Sequence, residues 1–249
     1  MNVDINRSHK KGFTIRAMMF KQLFDKESST YTYNLGSKKG NALIIDTVKE
    51  NIETYQRLLK ELNLNLSLSL ETHTHADHIS GSGMLNKIHN SKILSSLDKK
   101  DPRAHQIKDN ELISLDELNI RCLHTPGHTD DSYCFLLESV NPNLLFSGDT
   151  LLIGGTGRSD FQNGCPSTLF ESITQKIFTL EGETLVYPGH DYNGLKVSSI
   201  YQEIEHNPRL ANKSKEEFVE IMGGLNLSAP KIIDVAVPLN RNFGMADKE

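Results

Sequence analysis

Hydrophobic residues recur along this chain with two different spacings, which predict two kinds of secondary structure. Between residues 64 and 70, leucine alternates strictly with a polar residue, and this alternation predicts a β-strand with one buried face. Within residues 49–62, apolar side chains recur at the spacing of an amphipathic helix. Both spacings return further along, so the chain mixes strands and helices throughout.

The same criteria predict the remaining elements. Strands are predicted at Phe13–Met19, Tyr31–Leu35, Ala42–Asp46, Ile113–Leu115, Leu118–His124, Ser132–Glu138, Asn143–Ser147 and Thr184–Tyr187. Helices are predicted at Ile79–His89, Ser167–Leu180, Ser198–Glu205 and Ser214–Met222, and the end of the chain is typical of a strand and tail. Strands and helices in two similar halves favour an α/β sandwich of two sheets with helices outside, folded as one domain over residues 1–249.

Composition and charge narrow the classes of partner and location. A net charge of -5 and a pI of about 6.1 argue against nucleic acid or an anionic membrane surface as the main partner. No run approaches the roughly 18 apolar residues of a membrane span, and the first residues lack the apolar core of a secretory signal. The cysteines at 122, 134 and 165 are odd in number and widely spaced, unlike a disulfide framework, so we expect a reducing cytoplasm.

The strongest chemical signal follows the strand predicted over residues 64–70. Four residues with metal-binding side chains, His73, His75, Asp77 and His78, lie within six positions of one another. A tight loop brings such side chains into one small volume, and imidazole and carboxylate groups suit Zn or Fe. The sequence therefore predicts a metal site at the end of this strand.

Three further stretches repeat this arrangement of a strand, a turn with Gly or Pro, and a metal-binding side chain. They end at His128, Asp149 and His190. Loops that leave a rigid sheet at one edge bring such residues together. Each stretch alone is a weak signal, whereas the four in order are specific.

This order of motifs resembles the metallo-β-lactamase superfamily over residues 13 to 205. The resemblance implies a four-layer αββα sandwich with the metal site at one edge of the two sheets. In two-metal members, one ion is held by the residues matching His73, His75 and His128. The other is held by those matching Asp77, His78 and His190, with the match of Asp149 as the bridge.

Two subfamilies compete for the reaction, and both act on glutathione conjugates. The run Gly157–Gln162 (GRSDFQ) and the stretches Thr72–Gly83 and Pro188–Gly194 resemble the persulfide dioxygenases, which use one Fe(II). The alternative is a thioesterase of the glyoxalase II type with two metals such as Zn. Those enzymes carry a sizeable C-terminal helical domain, whereas only about sixty residues follow Asp191 here.

The dioxygenase resemblance implies oxidation of glutathione persulfide by O₂ to sulfite and glutathione. Fe(II), one per chain, is expected on His73, His128 and Asp149. We expect His75, Asp77, His78 and His190 either to surround these three ligands and form hydrogen bonds to them, or to contribute to a second metal site. A non-catalytic metal-binding or sensor module is the hypothesis from another class, and the glycine-rich loop at 154–164 argues against it.

Two residues are candidates for substrate binding. Arg158 is expected to grip a glutathione carboxylate, with an ion pair to Asp160 as the alternative. Tyr192 is expected to donate a hydrogen bond to substrate, or else to pack beneath the His190 loop.

The chain departs from the dioxygenase pattern at Thr156 and near Phe243, where such enzymes often have cysteine. Relatives of this fold commonly pair, so a homodimer stays open.

Overall fold

The fold is built on two six-stranded sheets, described by a computed structural model over residues 18–97 and 100–246. The first sheet contains, in spatial order, β1 (Met19–Asp25), β2 (Thr30–Gly36), β3 (Asn41–Ile45), β4 (Asn65–Leu70), β5 (Lys92–Ser95) and β6 (Ala104–Gln106). Its first three strands are antiparallel, and β3 to β6 are parallel. Strand order in this sheet therefore follows chain order.

The second sheet also follows chain order. It contains β7 (Leu112–Leu115), β8 (Leu118–His124), β9 (Tyr133–Leu137), β10 (Leu144–Gly148), β11 (Leu185–Pro188) and β12 (Ser198–Ser199). Only the β10–β11 pair is parallel. That pair is joined by a helical crossover, as parallel neighbours require.

Helices cover the outer faces of both sheets. They are α1 (Ile52–Glu61), α2 (Ser82–His89), α3 (Pro166–Ser172), α4 (Ile200–His206), α5 (Lys215–Gly223) and α6 (Ile233–Asn240). A 3₁₀ turn at Lys49–Asn51 precedes α1, and a π-helical turn at Ile173–Ile177 continues α3. No helix within the described ranges is both long and apolar enough to cross a membrane.

Three hydrophobic clusters hold the layers together. The largest lies between the sheets and joins residues such as Leu43 with Phe135. A second packs the other face of the second sheet on α3, α4 and α5, and a third packs the first sheet on α1 and α2. Burial of apolar surface on both faces of both sheets gives the αββα order of layers, which confirms the predicted fold class.

Most predicted elements match the observed ones within a few residues, with some exceptions. Residues 13–17 of the first predicted strand lie outside the described residues, and β1 shares only Met19 with that prediction. Strands β5, β6 and β12 were not predicted. The predicted strand and tail near the end of the chain is wrong, because residues 233–240 form helix α6.

The alternating leucines of β4 do not share one face, which corrects the sequence interpretation. The β3–β4 register shifts at one point, so that two residues of β4 fall opposite one residue of β3. Leu64 and Leu66 consequently pack on the α1 side, whereas Leu70, beyond the shift, packs between the two sheets. The irregularity inserts one residue and reverses the alternation, as a β-bulge does.

Two of the three cysteines are core residues, as their positions in predicted strands indicated. Cys122 and Cys134 are fully buried, and Cys165 is partly exposed; all three are free thiols. Burial raises the pKa of the Cys122 thiol to about 12 and that of Cys134 to about 11. Both are protonated and inert at neutral pH.

Candidate metal centre

The side chains with metal-binding chemistry lie where four strands end at one edge of the sandwich. Strand β4 leads directly into the loop at 71–78, and β8 ends four residues before His128. Strand β10 ends next to Asp149, and β11 ends two residues before His190. The sheets thus fix the positions from which these loops reach toward one another.

His73, His128 and Asp149 each bring one potential ligand atom into a common volume. These atoms all lie within 4.8 Å of one another. Nε2 of His128 is 3.6 Å from Oδ2 of Asp149, and the ring centroids of His73 and His128 are 4.7 Å apart. Two imidazoles and one carboxylate gathered in this way form a donor set that occurs in mononuclear non-haem iron sites and in catalytic zinc sites.

Hydrogen bonds on the far side of each ring determine which nitrogen faces the cluster. The hydroxyl of Thr72 donates its single hydrogen to Oδ2 of Asp46 at 2.9 Å, so it accepts one from Nδ1 of His73 at 3.0 Å. Nδ1 of His128 donates to the carbonyl oxygen of Arg158 at 2.6 Å. With Nδ1 protonated in both rings, the lone pair of Nε2 is available for a metal ion.

Burial and neighbouring charges keep these groups in the forms that bind a cation. Burial, and then the nearby rings of His75 and His128, hold the pKa of His73 well below its usual value, so this ring is neutral. Burial opposes ionisation of Asp149, but the adjacent charge of His190 outweighs it and lowers the pKa of Asp149. A neutral imidazole and an ionised carboxylate need lose no proton when metal binds.

His75, Asp77 and His78 form a second group whose potential ligand atoms lie within 4.8 Å of one another. Nε2 of His75 points away from this group to Asp46 at 3.2 Å and Glu71 at 3.4 Å. Burial opposes protonation of this ring, but Asp46 and then Glu71 raise the pKa of His75 to about 10. Nδ1 of His75 and Nε2 of His78 have no hydrogen-bond partner among the described residues.

His190 uses both of its ring nitrogens on carboxylates. Nδ1 lies 2.6 Å from Oδ1 of Asp149, and Nε2 lies 2.9 Å from Oδ2 of Asp77. Burial favours the neutral ring, but these two carboxylates raise the pKa of His190 well above its usual value. The ring thus lies between the two carboxylates and can hold both in place.

A glycine gives the loop after Asp149 its close approach to the centre. The backbone N–H of Gly157 donates to the carbonyl oxygen of Asp149 at 2.7 Å. A Cβ atom at Gly157 would collide with that oxygen and lie 2.7 Å from Nδ1 of His128. Only glycine fits here without displacing one of the two side chains.

A cavity of about 450 Å³ opens beside His73, His128 and Asp149. The glycine-rich loop at 154–157 and the segment at 227–230 line its other side. This volume falls in the range of small-molecule sites, roughly 300–1,000 Å³. The cavity is therefore large enough for a substrate of the size of glutathione.

The two residues predicted to bind substrate both line this cavity. Tyr192 is 71% exposed, and its ring is parallel to that of His190 with the centroids 6.2 Å apart. Arg158 donates from Nε and Nη2 to the two carboxylate oxygens of Asp160, at 2.6 and 2.7 Å. The ion pair weighed as its alternative role is thus present, and the substrate roles of Arg158 and Tyr192 stay predictions.

Several residues that shape the site were not recognised from the sequence. Asp46 orients Thr72, and Asn240 of α6 donates from Nδ2 to the carbonyl oxygens of His75 and His78, both at 2.8 Å. Asp46 carried a signal, because it directly follows β3. Asn240 carried none, since it lies 162 residues from His78 and 165 residues from His75 in the sequence.

Comparisons with known proteins agree with this geometry. The model of the metallo-beta-lactamase superfamily matches residues 26–190. The human protein "Persulfide dioxygenase ETHE1, mitochondrial" is 41% identical over 239 residues, which cover 95% of this chain and 92% of that protein. The crystal structure of ETHE1 from Myxococcus xanthus is 46% identical, with a TM-score of 0.87, and covers 91% of this chain and 100% of that one.

A hydroxyacylglutathione hydrolase from Francisella tularensis subsp. novicida is 34% identical over 178 residues, which cover 70% of this chain and 68% of that protein. The chain belongs to the metallo-beta-lactamase superfamily and, within it, to the family of the ETHE1 persulfide dioxygenases. The family and the clustered ligand atoms together imply a metal cofactor.

Proposed function

We propose that this protein is a glutathione persulfide dioxygenase with one Fe(II) per chain, held by His73, His128 and Asp149. The reaction converts glutathione persulfide, O₂ and water into glutathione, sulfite and two protons. The observation that carries the proposal is the 41% identity to a human persulfide dioxygenase over 92% of that protein. That likeness extends over the whole site, from the loop after β4 to His190.

The donor set fits the proposed ion. Both imidazoles offer Nε2, because Thr72 and the carbonyl of Arg158 occupy their Nδ1 atoms. Fe(II) held by these three ligands would supply the redox chemistry by which O₂ oxidises the persulfide sulfur.

The chain itself holds the ligands in place, orients the substrate and encloses the site. Asp149 keeps its orientation through His190, which binds one of its two carboxylate oxygens. The backbone at Gly157 closes one wall against Asp149 and His128, which excludes water from that side. Alignment of reactants in an enclosed site accelerates reactions between bound partners. The cavity then positions the glutathione moiety so that its sulfur faces the centre.

The contacts of His190 suit a site with one ion. Its two nitrogens lie within hydrogen-bond distance of Asp149 and Asp77, so the ring can hold these carboxylates without binding metal itself. We therefore propose that His75, Asp77, His78 and His190 support the iron ligands by hydrogen bonds rather than bind a second ion. Such outer residues orient metal ligands and tune their basicity.

A hydroxyacylglutathione thioesterase with two metals, Zn or Fe, is the second candidate. The observation that favours it is the group of His75, Asp77 and His78, in which two ring nitrogens have no partner among the described residues. Two ions held there would supply a hydroxide that attacks the thioester carbonyl. The ratio of metal to protein separates this candidate from the first.

The test compares both reactions on the same preparation. The protein is loaded with Fe(II) without oxygen, its metal content is measured, and oxygen uptake and sulfite release are followed with glutathione persulfide. Hydrolysis of a glutathione thioester is assayed beside it. One iron per chain with sulfite release supports the dioxygenase, whereas two metals with thioester hydrolysis support the second candidate. Absence of both reactions would support a non-catalytic metal-binding module.

We also propose that the protein works in the cytoplasm, as its free cysteines first suggested. The printed names of its mammalian relatives assign those proteins to the mitochondrion. Fractionation of cells that express the full chain separates the two locations. Sedimentation of the purified protein tests whether it forms the homodimer left open above.

A further inference from the structure

The substrate cavity contains two guanidinium groups in different electrostatic surroundings. The carboxylate of Asp160 balances the positive charge of Arg158 and accepts two short hydrogen bonds from it. A third bond, from Nη1 of Arg158 to the carbonyl oxygen of Ser228, is 2.6 Å long. Arg158 thus joins the glycine-rich loop to the segment at 227–230, and its charge is already balanced within the protein.

Arg209 lines the same cavity without a balancing charge. Its Nη1 donates to the carbonyl oxygen of Thr156 at 2.7 Å and contacts the hydroxyl of Thr156 at 3.2 Å. Within residues 18–97 and 100–246, no carboxylate lies at ion-pair distance from this guanidinium. Burial lowers the pKa of Arg209 accordingly. A half-buried charge without a counter-ion is costly, and an anion bound beside it would remove that cost.

We propose that Arg209 binds a carboxylate of the thiol substrate and that Thr156 positions it. This inference rests on the proposed function for the identity of the substrate, since glutathione persulfide is a peptide-like thiol with two carboxylates. A guanidinium makes paired hydrogen bonds with a carboxylate, and Nε and Nη2 of Arg209 remain to form such a pair. Arg209 then selects persulfides that carry a carboxylate at the right distance from sulfur.

The position of Arg209 relative to the metal centre suits this role. Thr156, which holds the guanidinium, directly precedes Gly157, and Gly157 packs against Asp149 and His128. Consecutive Cα atoms are about 3.8 Å apart, so the guanidinium lies within a few residue lengths of the centre. A tripeptide-sized thiol spans such a distance with its sulfur at the metal and one carboxylate at Arg209.

The contacts of Thr156 give a reason for threonine at a position where many dioxygenases have cysteine. Its side chain is buried, and its hydroxyl lies within hydrogen-bond distance of Arg209. A hydroxyl oxygen accepts hydrogen bonds better than the sulfur of a cysteine. Threonine at this position therefore restrains Arg209 more firmly than the cysteine that many dioxygenases have.

The test measures binding of glutathione itself, which is not consumed, to the iron-loaded protein without oxygen. Calorimetry should give a dissociation constant about 10-fold or more higher for Arg209→Gln than for the wild type, because a charged hydrogen-bonded pair is lost. Arg209→Lys should lie between the two. Arg57→Gln, on the exposed side of α1, is the matched control and should bind like the wild type. Equal affinity of Arg209→Gln and the wild type would overturn the proposal.

A second arm varies the ligand. Binding of the glycine monoethyl ester of glutathione and of cysteinylglycine, each of which has one of the two carboxylates of glutathione, is measured on the wild type. One of them should bind about 10-fold or more weakly, and this loss should vanish on Arg209→Gln. Wild-type affinities equal to that of glutathione for both thiols would overturn the proposal, as would a loss that persists in Arg209→Gln. Because these titrations do not require turnover, a protein that binds glutathione as expected but oxidises no persulfide would contradict the proposed function and leave this inference intact.

The positioning role of Thr156 has its own readout. Thr156→Val keeps the shape and removes the hydroxyl, so KM for glutathione persulfide should rise about 2- to 10-fold with kcat unchanged. Thr156→Ser should restore the wild-type KM. A fall in kcat with unchanged KM, or failure of serine to restore KM, would contradict a role through Arg209.

Discussion

Oδ1 of Asp149 lies 2.6 Å from Nδ1 of His190, so a proposed iron ligand is bound to a residue that two-metal relatives would use for a second ion. The other nitrogen of His190 is 2.9 Å from Asp77. His190 therefore lies between two carboxylates and holds Asp149 in place. This arrangement leads to the first prediction.

We expect His190→Ala to keep about one iron per chain and part of the dioxygenase activity. The substitution removes a hydrogen bond that orients Asp149, and it removes none of the three proposed ligands. Metal analysis and sulfite release measure the two quantities. His206→Ala, an exposed histidine on α4, is the control. Loss of one of two ions together with nearly all turnover would favour the two-metal thioesterase.

The glycine loop gives a second prediction. A Cβ at Gly157 would lie 2.7 Å from Nδ1 of His128, so Gly157→Ala must displace that ring or Asp149. Overpacking of this kind costs about 1–3 kcal/mol, and we expect iron affinity to fall about 10-fold or more. Competition with a chelator measures the affinity.

Gly155→Ala is the matched control for Gly157→Ala. Its Cβ would meet only the guanidinium of Arg209, at 3.8 Å from Cζ, which is ordinary contact. We expect this variant to hold iron like the wild type. If both substitutions lowered iron affinity equally, a general effect on the loop would explain the loss better than the collision at His128.

The sequence alone predicted the site residues that follow strand ends, but it did not predict the residues that reach the site from distant parts of the chain. His73, His128 and Asp149 follow strand ends, and a strand followed by a turn and a ligand can be recognised locally. Arg209 and Asn240 lie in segments that carry no such pattern. Their roles arise only when the folded chain brings the segment after α4, and helix α6, to the metal loops, which is long-range information.

Helix α6 and strand β4 show why local patterns also failed in the fold. Residues 235–238 include two valines and a proline, which disfavour a helix, yet contacts of Asn240 with the metal loop fix α6 in place. In β4, a single inserted residue redirected leucines that alternate perfectly in sequence. Tertiary contacts decided both cases, as they often do when propensity is weak.

The ion pair of Arg158 and Asp160 gives a third prediction. If Arg158 mainly joins the two loops of the cavity, Arg158→Gln and Asp160→Asn break the same contact and should raise KM by a similar factor. Asp160 is about half exposed, so we expect a modest change of about 2- to 5-fold. If Arg158 instead grips the substrate directly, as the sequence first suggested, Asp160→Asn would leave KM unchanged or lower it while Arg158→Gln raised it.

The last prediction concerns Asn240, which joins α6 to the metal loop. Its Nδ2 donates to the carbonyl oxygens of His75 and His78, and its Oδ1 accepts from the backbone N–H of Ser80 at 2.8 Å. Asn240→Asp keeps the shape and the acceptor but removes both donors, and it places a carboxylate against two carbonyl oxygens.

Because two buried carbonyls lose their partner in Asn240→Asp, we expect the free energy of unfolding to fall by about 2 kcal/mol or more. Iron should also leave faster in a chelator challenge, since the loop that follows His73 is released from α6. Asn226→Asp, on the exposed segment before α6, makes the same change of charge and should alter neither quantity. Lower stability with an unchanged rate of iron loss would mean that Asn240 supports the fold without positioning the metal loop.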